Sequence, residues 1–150
     1  MSFLRQIEDD LIKAQKDKDL PKISILRFLL AKIHDAQIAK GKETPLTDEE
    51  ILKEIAAEVR RHYESIEFAQ KAGRADLAEI EQKELEILES YLPEKLSQEE
   101  VAKLVQNAIS EVGAKTPADF GKVMAAVMPK IAGRAEGATV GEIVKKALTK

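Results

Sequence analysis

Two histidines, a run of carboxylates and one glycine-bracketed turn are where this sequence could do chemistry. His34 precedes Asp35, which pairs a base with an acid in composition, but adjacent positions on a helix do not face each other. His62 has Glu58 and Ile66 as its neighbours four residues away, so a His–Glu contact on one helix face is open to it. Neither histidine belongs to an H-E-x-x-H pattern, the spacing that sets two imidazoles on one metal. A surface or packing role is expected for both, and no metal site. Glu79, Glu81, Glu84, Glu86 and Glu89 crowd one helical stretch, with no serine nucleophile or lysine base patterned against them. A solvated face is expected there, and Met124 and Met128 are expected to pack in a core. No catalytic residue and no cofactor is assigned.

Phosphate cradles need glycines for close backbone approach and a helix N-terminus to donate N–H groups. The chain has no P-loop and no G-x-G-x-x-G. It does have Gly133-Arg134-Ala135-Glu136-Gly137-Ala138-Thr139, a turn opening onto a helix and flanked by Lys130. A phosphate could be held there by exposed N–H groups with Lys130 and Arg134 as its cations. The same residues also suit a plain helix–helix connection, with Gly133 as a left-handed cap and Gly137 as a turn residue. Lys122, Lys145 and Lys146 would extend a polyanion footprint, and Arg60 with Arg61 forms a rival site amid acidic neighbours. Charge favours the tail: residues 116–150 hold six basic and three acidic side chains, whereas the whole chain is at −3.

Composition narrows the field. Hydrophobic residues at 44% and charged residues at 34% suit a folded globular chain. Aromatics at 4%, with no Trp, leave little on which exposed bases could stack. The lack of Cys excludes disulfides, thiolate catalysis and cysteine-based zinc sites. The start, Met1 to Glu8 followed by Asp9 and Asp10, shows no secretory or import leader, and the densest apolar stretch, Ile25 to Ala31, is interrupted by Arg27. It is far short of the roughly 20 residues that span a bilayer. The expectation is a cytoplasmic chain with no membrane contact.

The elements that must position these groups are all helical, since no run alternates with the period of a strand. Leu4, Ile7, Leu11 and Ala14 mark a first helix near 3–17. Pro21 sits in the first turn of a second, whose wide stripe of Ile23, Ile25, Leu26, Phe28, Leu29, Leu30 and Ile33 makes it the expected most buried helix. Thr47 and Glu50 form a capping box ahead of a third helix ending near Ala72. A fourth, near 75–90, is expected to turn Leu77, Ile80, Leu85, Leu88 and Leu92 inward. After Pro93, capping boxes at Ser97/Glu100 and Thr139/Glu142 and a Thr116-Pro117 start announce three more helices. The fold expected is all-α: about four helices in a domain of 1–93, then a small three-helix domain of 97–150.

The order of local motifs carries a further signal. Leu46-Thr47-Asp48-Glu49-Glu50, Arg60-Arg61-His62-Tyr63-Glu64-Ser65-Ile66, Ala72-Gly73-Arg74-Ala75-Asp76-Leu77-Ala78, Glu84-Leu85 and Tyr91-Leu92-Pro93 are followed by Gly121-Lys122-Val123-Met124, Met128-Pro129-Lys130 and Gly133-Arg134-Ala135-Glu136-Gly137. Over essentially the whole chain this set resembles the GatB/YqeY family in its stand-alone form. The resemblance implies the same two helical parts. It also implies kinship with the tail of the B subunit of the tRNA-dependent amidotransferase, a carbon–nitrogen ligase with glutamine as amido donor. There the tail contacts tRNA while a larger domain, absent here, does the chemistry. The family's turn usually reads lysine, glycine, arginine, alanine, aspartate, glycine; here Ala132 and Glu136 replace the lysine and the aspartate.

Three functions follow as expectations. The first is a module binding tRNA or structured RNA beside the amidotransferase or a similar machine, by shape and phosphate contact. The second is a component of ligase-type chemistry, which would need an ATP or metal site. The third is a protein-interaction or regulatory module using an apolar helical surface. Added salt separates the first from the third, since counterion release makes only polyanion binding steeply salt-dependent.

Overall fold

A computed structural model describes residues 2–149 of the chain. Among them the secondary structure is helical throughout and contains no strand: α1 (Phe3–Asp17), α2 (Leu20–Lys40), α3 (Asp48–Lys71), α4 (Ala75–Glu89), α5 (Gln98–Val112), a 3-10 turn (Pro117–Asp119), α6 (Phe120–Ile131) and α7 (Gly137–Leu148). The chain divides into two compact units, Met1–Leu92 and Pro93–Lys150.

In the first unit each of the helices α1, α2 and α3 starts at a side chain that accepts a backbone N–H left over by the first turn. Ser2 accepts from Arg5, Asp19 from Lys22, and Thr47 from Glu50. The Thr47 box closes in both directions, as the Glu50 carboxylate accepts from the Thr47 N–H at 2.8 Å. Helix α1 packs on α2, and α3 packs chiefly on α4. The core between them is aliphatic, built from Ile7, Leu26, Leu29, Ile51, Ile55, Leu85 and Leu88 with Tyr91 at its edge. Burying one such side chain contributes about 1.5–3 kcal/mol. Tyr91 meets Phe3 edge-on at 5.9 Å and donates its hydroxyl to Asp10 at 2.6 Å.

Two expectations are corrected here. Helix α2 is not the most buried: α3 buries more of its residues, with Ile51, Ile55, Glu58, Val59, His62, Ile66 and Ala69 inside, while Phe28 of α2 is exposed. In helix α4 the expectation holds for Leu85 and Leu88 but fails nearer the start of the helix. Leu77 (43% exposed) and Ile80 (55%) face outward, and Ala78, Leu85 and Leu88 face inward. The inward stripe of 78, 81, 85 and 88 is equally helical in spacing, and it brings acidic positions toward α3.

The second unit is a three-helix cluster in which α5 packs on both α6 and α7. Its core of Val101, Val105, Ala108, Val123, Val127, Ile131, Val140, Val144 and Leu148 is wholly aliphatic, and Met124 and Met128 pack against it. Ser97 caps α5 through the Glu100 N–H. Asp119 takes the N–H groups of Lys115 and Thr116, which holds its carboxyl below the usual range. The expected box at Thr139 does not form: α7 opens two residues earlier, at Gly137, with Glu136 as a cap that makes no side-chain bond. The left-handed exit of α6 falls on Ala132 as well as Gly133, at φ 50° and 76°.

Candidate functional site

The turn between α6 and α7 places Lys130, Gly133, Arg134 and Gly137 together, but both cations already have partners. Lys130 Nζ pairs with Glu111 at 2.9 Å. Arg134 Nε donates to the carbonyl of Glu94 at 2.8 Å, and the Arg134 carbonyl accepts from the Leu96 N–H at 2.8 Å. The turn thereby holds the segment that leads into α5. The N-cap of α7 is the exposed Glu136, whose negative charge beside the turn disfavours a phosphate there. A Cβ at Gly137 would meet only Met128 Cε, at ordinary contact distance of 3.9 Å, so no close backbone approach requires glycine there.

The other basic candidates lie elsewhere on the same unit. Lys145 Nζ stands 5.7 Å from the centre of the Phe120 ring, at the start of α6. Lys122 occupies the same first turn, and Lys146 the last turn of α7. These three lysines are exposed, and they are separated from the turn by the length of α6, whose 12 residues span about 18 Å. Of the rival pair, Arg60 is exposed and Arg61 reaches back to the Glu58 carboxylate. His34 is exposed.

His62 is the surprise of the N-terminal unit. It is 7% exposed, and its Nδ1 lies 2.9 Å from the backbone carbonyl of Glu58. A carbonyl can only accept, so Nδ1 carries a proton. Nε2 then faces Glu84 Oε2 at 2.9 Å and Glu81 Oε2 at 3.4 Å. Two acceptors cannot face each other unaided, so this side needs a proton on Nε2, a proton on a carboxyl oxygen, or a cation between them. One nitrogen of His62 and one oxygen from each of Glu81 and Glu84 lie within 4.8 Å of one another. They border a cleft of about 350 Å³ lined by Ser24, Phe28, Arg61 and Ser65 as well. Glu58, 2% exposed, is neutralised beside it by Arg61.

The residue pattern predicts a solvated acidic face at Glu81 and Glu84; both are instead partly buried and lean over His62. The signal available in the sequence is their three-residue spacing, in phase with Ala78, Leu85 and Leu88. Their partner His62 lies on another helix, so no local motif joins the three.

The chain matches the family of YqeY-like proteins over residues 4–148 and belongs to that family. It is 32% identical to Altered inheritance of mitochondria protein 41, mitochondrial, of Pyrenophora tritici-repentis, over 88% of this chain and 72% of the relative. The protein of the same name from Clavispora lusitaniae is 31% identical over 75% of this chain and 66% of that one. An uncharacterized protein of Schizosaccharomyces pombe is 30% identical over 61% of this chain and 72% of its own length. No helix among the described residues is long and apolar enough to cross a membrane.

Proposed function

We propose that this YqeY-like chain is an accessory module that binds structured RNA, tRNA foremost, beside an enzyme of the tRNA-dependent amidotransferase type. Carbon–nitrogen ligase chemistry with glutamine as amido donor would then belong to the partner. The observation that carries this reading is the charge of the C-terminal unit: an uncharged aliphatic core with exposed lysines at one end of α6 and the Lys130/Arg134 turn at the other. Cations about 18 Å apart suit the phosphates of a rigid, duplex-like RNA better than a single phosphate group. Scarce aromatics agree with recognition by shape and backbone contact. The compartment goes with the ligand: the cytoplasm in this reading, the mitochondrion if the fungal relatives' names carry over.

Titrating a tRNA with the wild type, Lys145→Ala/Lys146→Ala, Arg134→Ala and Arg60→Ala at two salt concentrations tests it. The tail variants should weaken binding and lower the salt slope, by about one for each phosphate that is no longer neutralised. Weakening by Arg60→Ala alone would move the interface to α3.

The protein-interaction reading has its own support in the N-terminal unit, where Phe68 (76% exposed), Leu20 (73%) and Ile38 (62%) stand in solvent. Binding that persists in high salt and disappears with Phe68→Ser would favour it.

A further inference from the structure

We propose that His62, Glu81 and Glu84 bind one divalent transition-metal ion, with open coordination positions facing the cleft beside them. The site is independent of any RNA interface on the C-terminal unit, since its three ligands lie wholly within α3 and α4.

Three observations carry it. The first is the set of donors and its spacing. Zinc ligands stand about 2.0–2.2 Å from the ion, so tetrahedral donors are roughly 3.4 Å apart. The Nε2–Glu81 distance of 3.4 Å equals that value, the Nε2–Glu84 distance of 2.9 Å is about half an ångström shorter, and all three donors lie within 4.8 Å, so small side-chain shifts would seat an ion. The second is the orientation of the imidazole. Its Nδ1–H is tied to the Glu58 carbonyl at 2.9 Å, the outer-shell bond that fixes the tautomer of a metal-bound histidine and aims the Nε2 lone pair at the ion. The third is charge. Glu58 and Arg61 neutralise each other, so a neutral His62 with the partly exposed Glu81 and Glu84 carries two negative charges at the edge of the cleft. A divalent ion cancels both. A second proton on the imidazole cancels only one and leaves the other carboxylate to the water of the cleft.

The mixture of one imidazole and two carboxylates selects the metal class. Imidazole favours zinc and its neighbours, whereas magnesium prefers an octahedron of oxygens. Three protein ligands leave at least one position for water or a small ligand, which the cleft with Ser24 and Ser65 can admit. The chain has no cysteine, and its other histidine, His34, is exposed on another helix.

Calorimetry of the metal-stripped full chain with Zn²⁺, and separately with Mg²⁺, tests this, with Co²⁺ absorption as a report on coordination. One Zn²⁺ per chain should bind and Mg²⁺ should not compete. Glu81→Gln and Glu84→Gln should each weaken Zn²⁺ by tenfold or more without loss of helical circular dichroism, and His34→Gln should change nothing. Glu81 is partly exposed, so its substitution leaves the core intact and keeps the test valid if His62 variants misfold. The proposal is overturned if Zn²⁺ does not bind one-to-one, or if binding survives the Glu81→Gln/Glu84→Gln double variant. It is equally overturned if nitrogen NMR shows His62 Nε2 still protonated with Zn²⁺ present, for the cluster is then an ion pair and nothing more.

Discussion

The two units of this chain solve the same problem, burying apolar helix faces, with opposite treatments of charge. The unit of α1–α4 carries charge inward: Glu58 and His62 are buried, and Glu81 and Glu84 lean over them. In the unit of α5–α7 every large buried side chain among the described residues is aliphatic, and its cations stand outside. A buried ionic group adds little stability and is strongly destabilising once its partner is removed. The difference is one of charge placement: a chemically differentiated interior in the first unit, an aliphatic interior with charge kept to the surface in the second.

The contrast breaks first at the cores. Leu26→Ala, at a fully buried position, should cost about 2–5 kcal/mol, read from urea denaturation. Val127→Ala should cost about 2 kcal/mol, from the methyl groups it removes, and should accelerate hydrogen exchange in α5–α7 while leaving α1–α4 protected. Acceleration in both units alike would show that they do not unfold separately.

Next comes the buried charge. Arg61→Ala strands the Glu58 carboxylate, a loss of about 3–5 kcal/mol for a fully buried pair. Arg61 itself is 59% exposed, so about 2 kcal/mol is expected after solvent screening. Alanine at Lys122, Lys145 or Lys146 should change stability by less than about 0.5 kcal/mol. If Arg61→Ala is as silent as those, the inward charge of the first unit has no energetic consequence.

A smaller effect separates a capping threonine from one that only resembles it. Thr47→Ala removes a bond to the Glu50 N–H and should cost about 1 kcal/mol. Thr139 lies inside α7 rather than before it, so Thr139→Ala should stay within about 0.5 kcal/mol. Equal losses would restore a helix start at Thr139.

The weakest distinction is in pH. Glu50 and Asp76 are held below the usual carboxylate range, first by side-chain bonds from Lys40 and Arg74, and Asp119 first by the Lys115 and Thr116 N–H groups. A depressed carboxyl stabilises above its unfolded value, near 4, and that contribution disappears as pH falls through the folded value. Both units should therefore weaken in acid. Tyr91 is pushed up, first by burial and then by Asp10. Its contribution is complete below the ordinary phenol value of about 10 and fades as pH rises through the higher folded one. Alkaline weakening from this source should accordingly be confined to α1–α4, and Tyr91→Phe should abolish it in a denaturation series.

What the sequence alone determined is what local chemistry decides. Helical periodicity, the absence of strand alternation, the Thr47–Glu50 box and the Ser97 cap each depend on residues within one or two turns of one another, so they are legible in one dimension. Family membership is legible for the same reason, through short motifs kept in order. The inward face of α4 is legible only in part. Leu85 and Leu88 face the core as their spacing suggests, but at the start of the helix packing against α3 buries Ala78 and leaves Leu77 and Ile80 exposed, which no local pattern separates. That packing brought Glu81 and Glu84 to His62, some twenty residues earlier in the chain. It is also tertiary structure that engaged Lys130 with Glu111 and Arg134 with Glu94, and that set Lys145 on Phe120. A side chain's type states what it can bind; only the packing of one helix on another decides what stands within three ångströms of it.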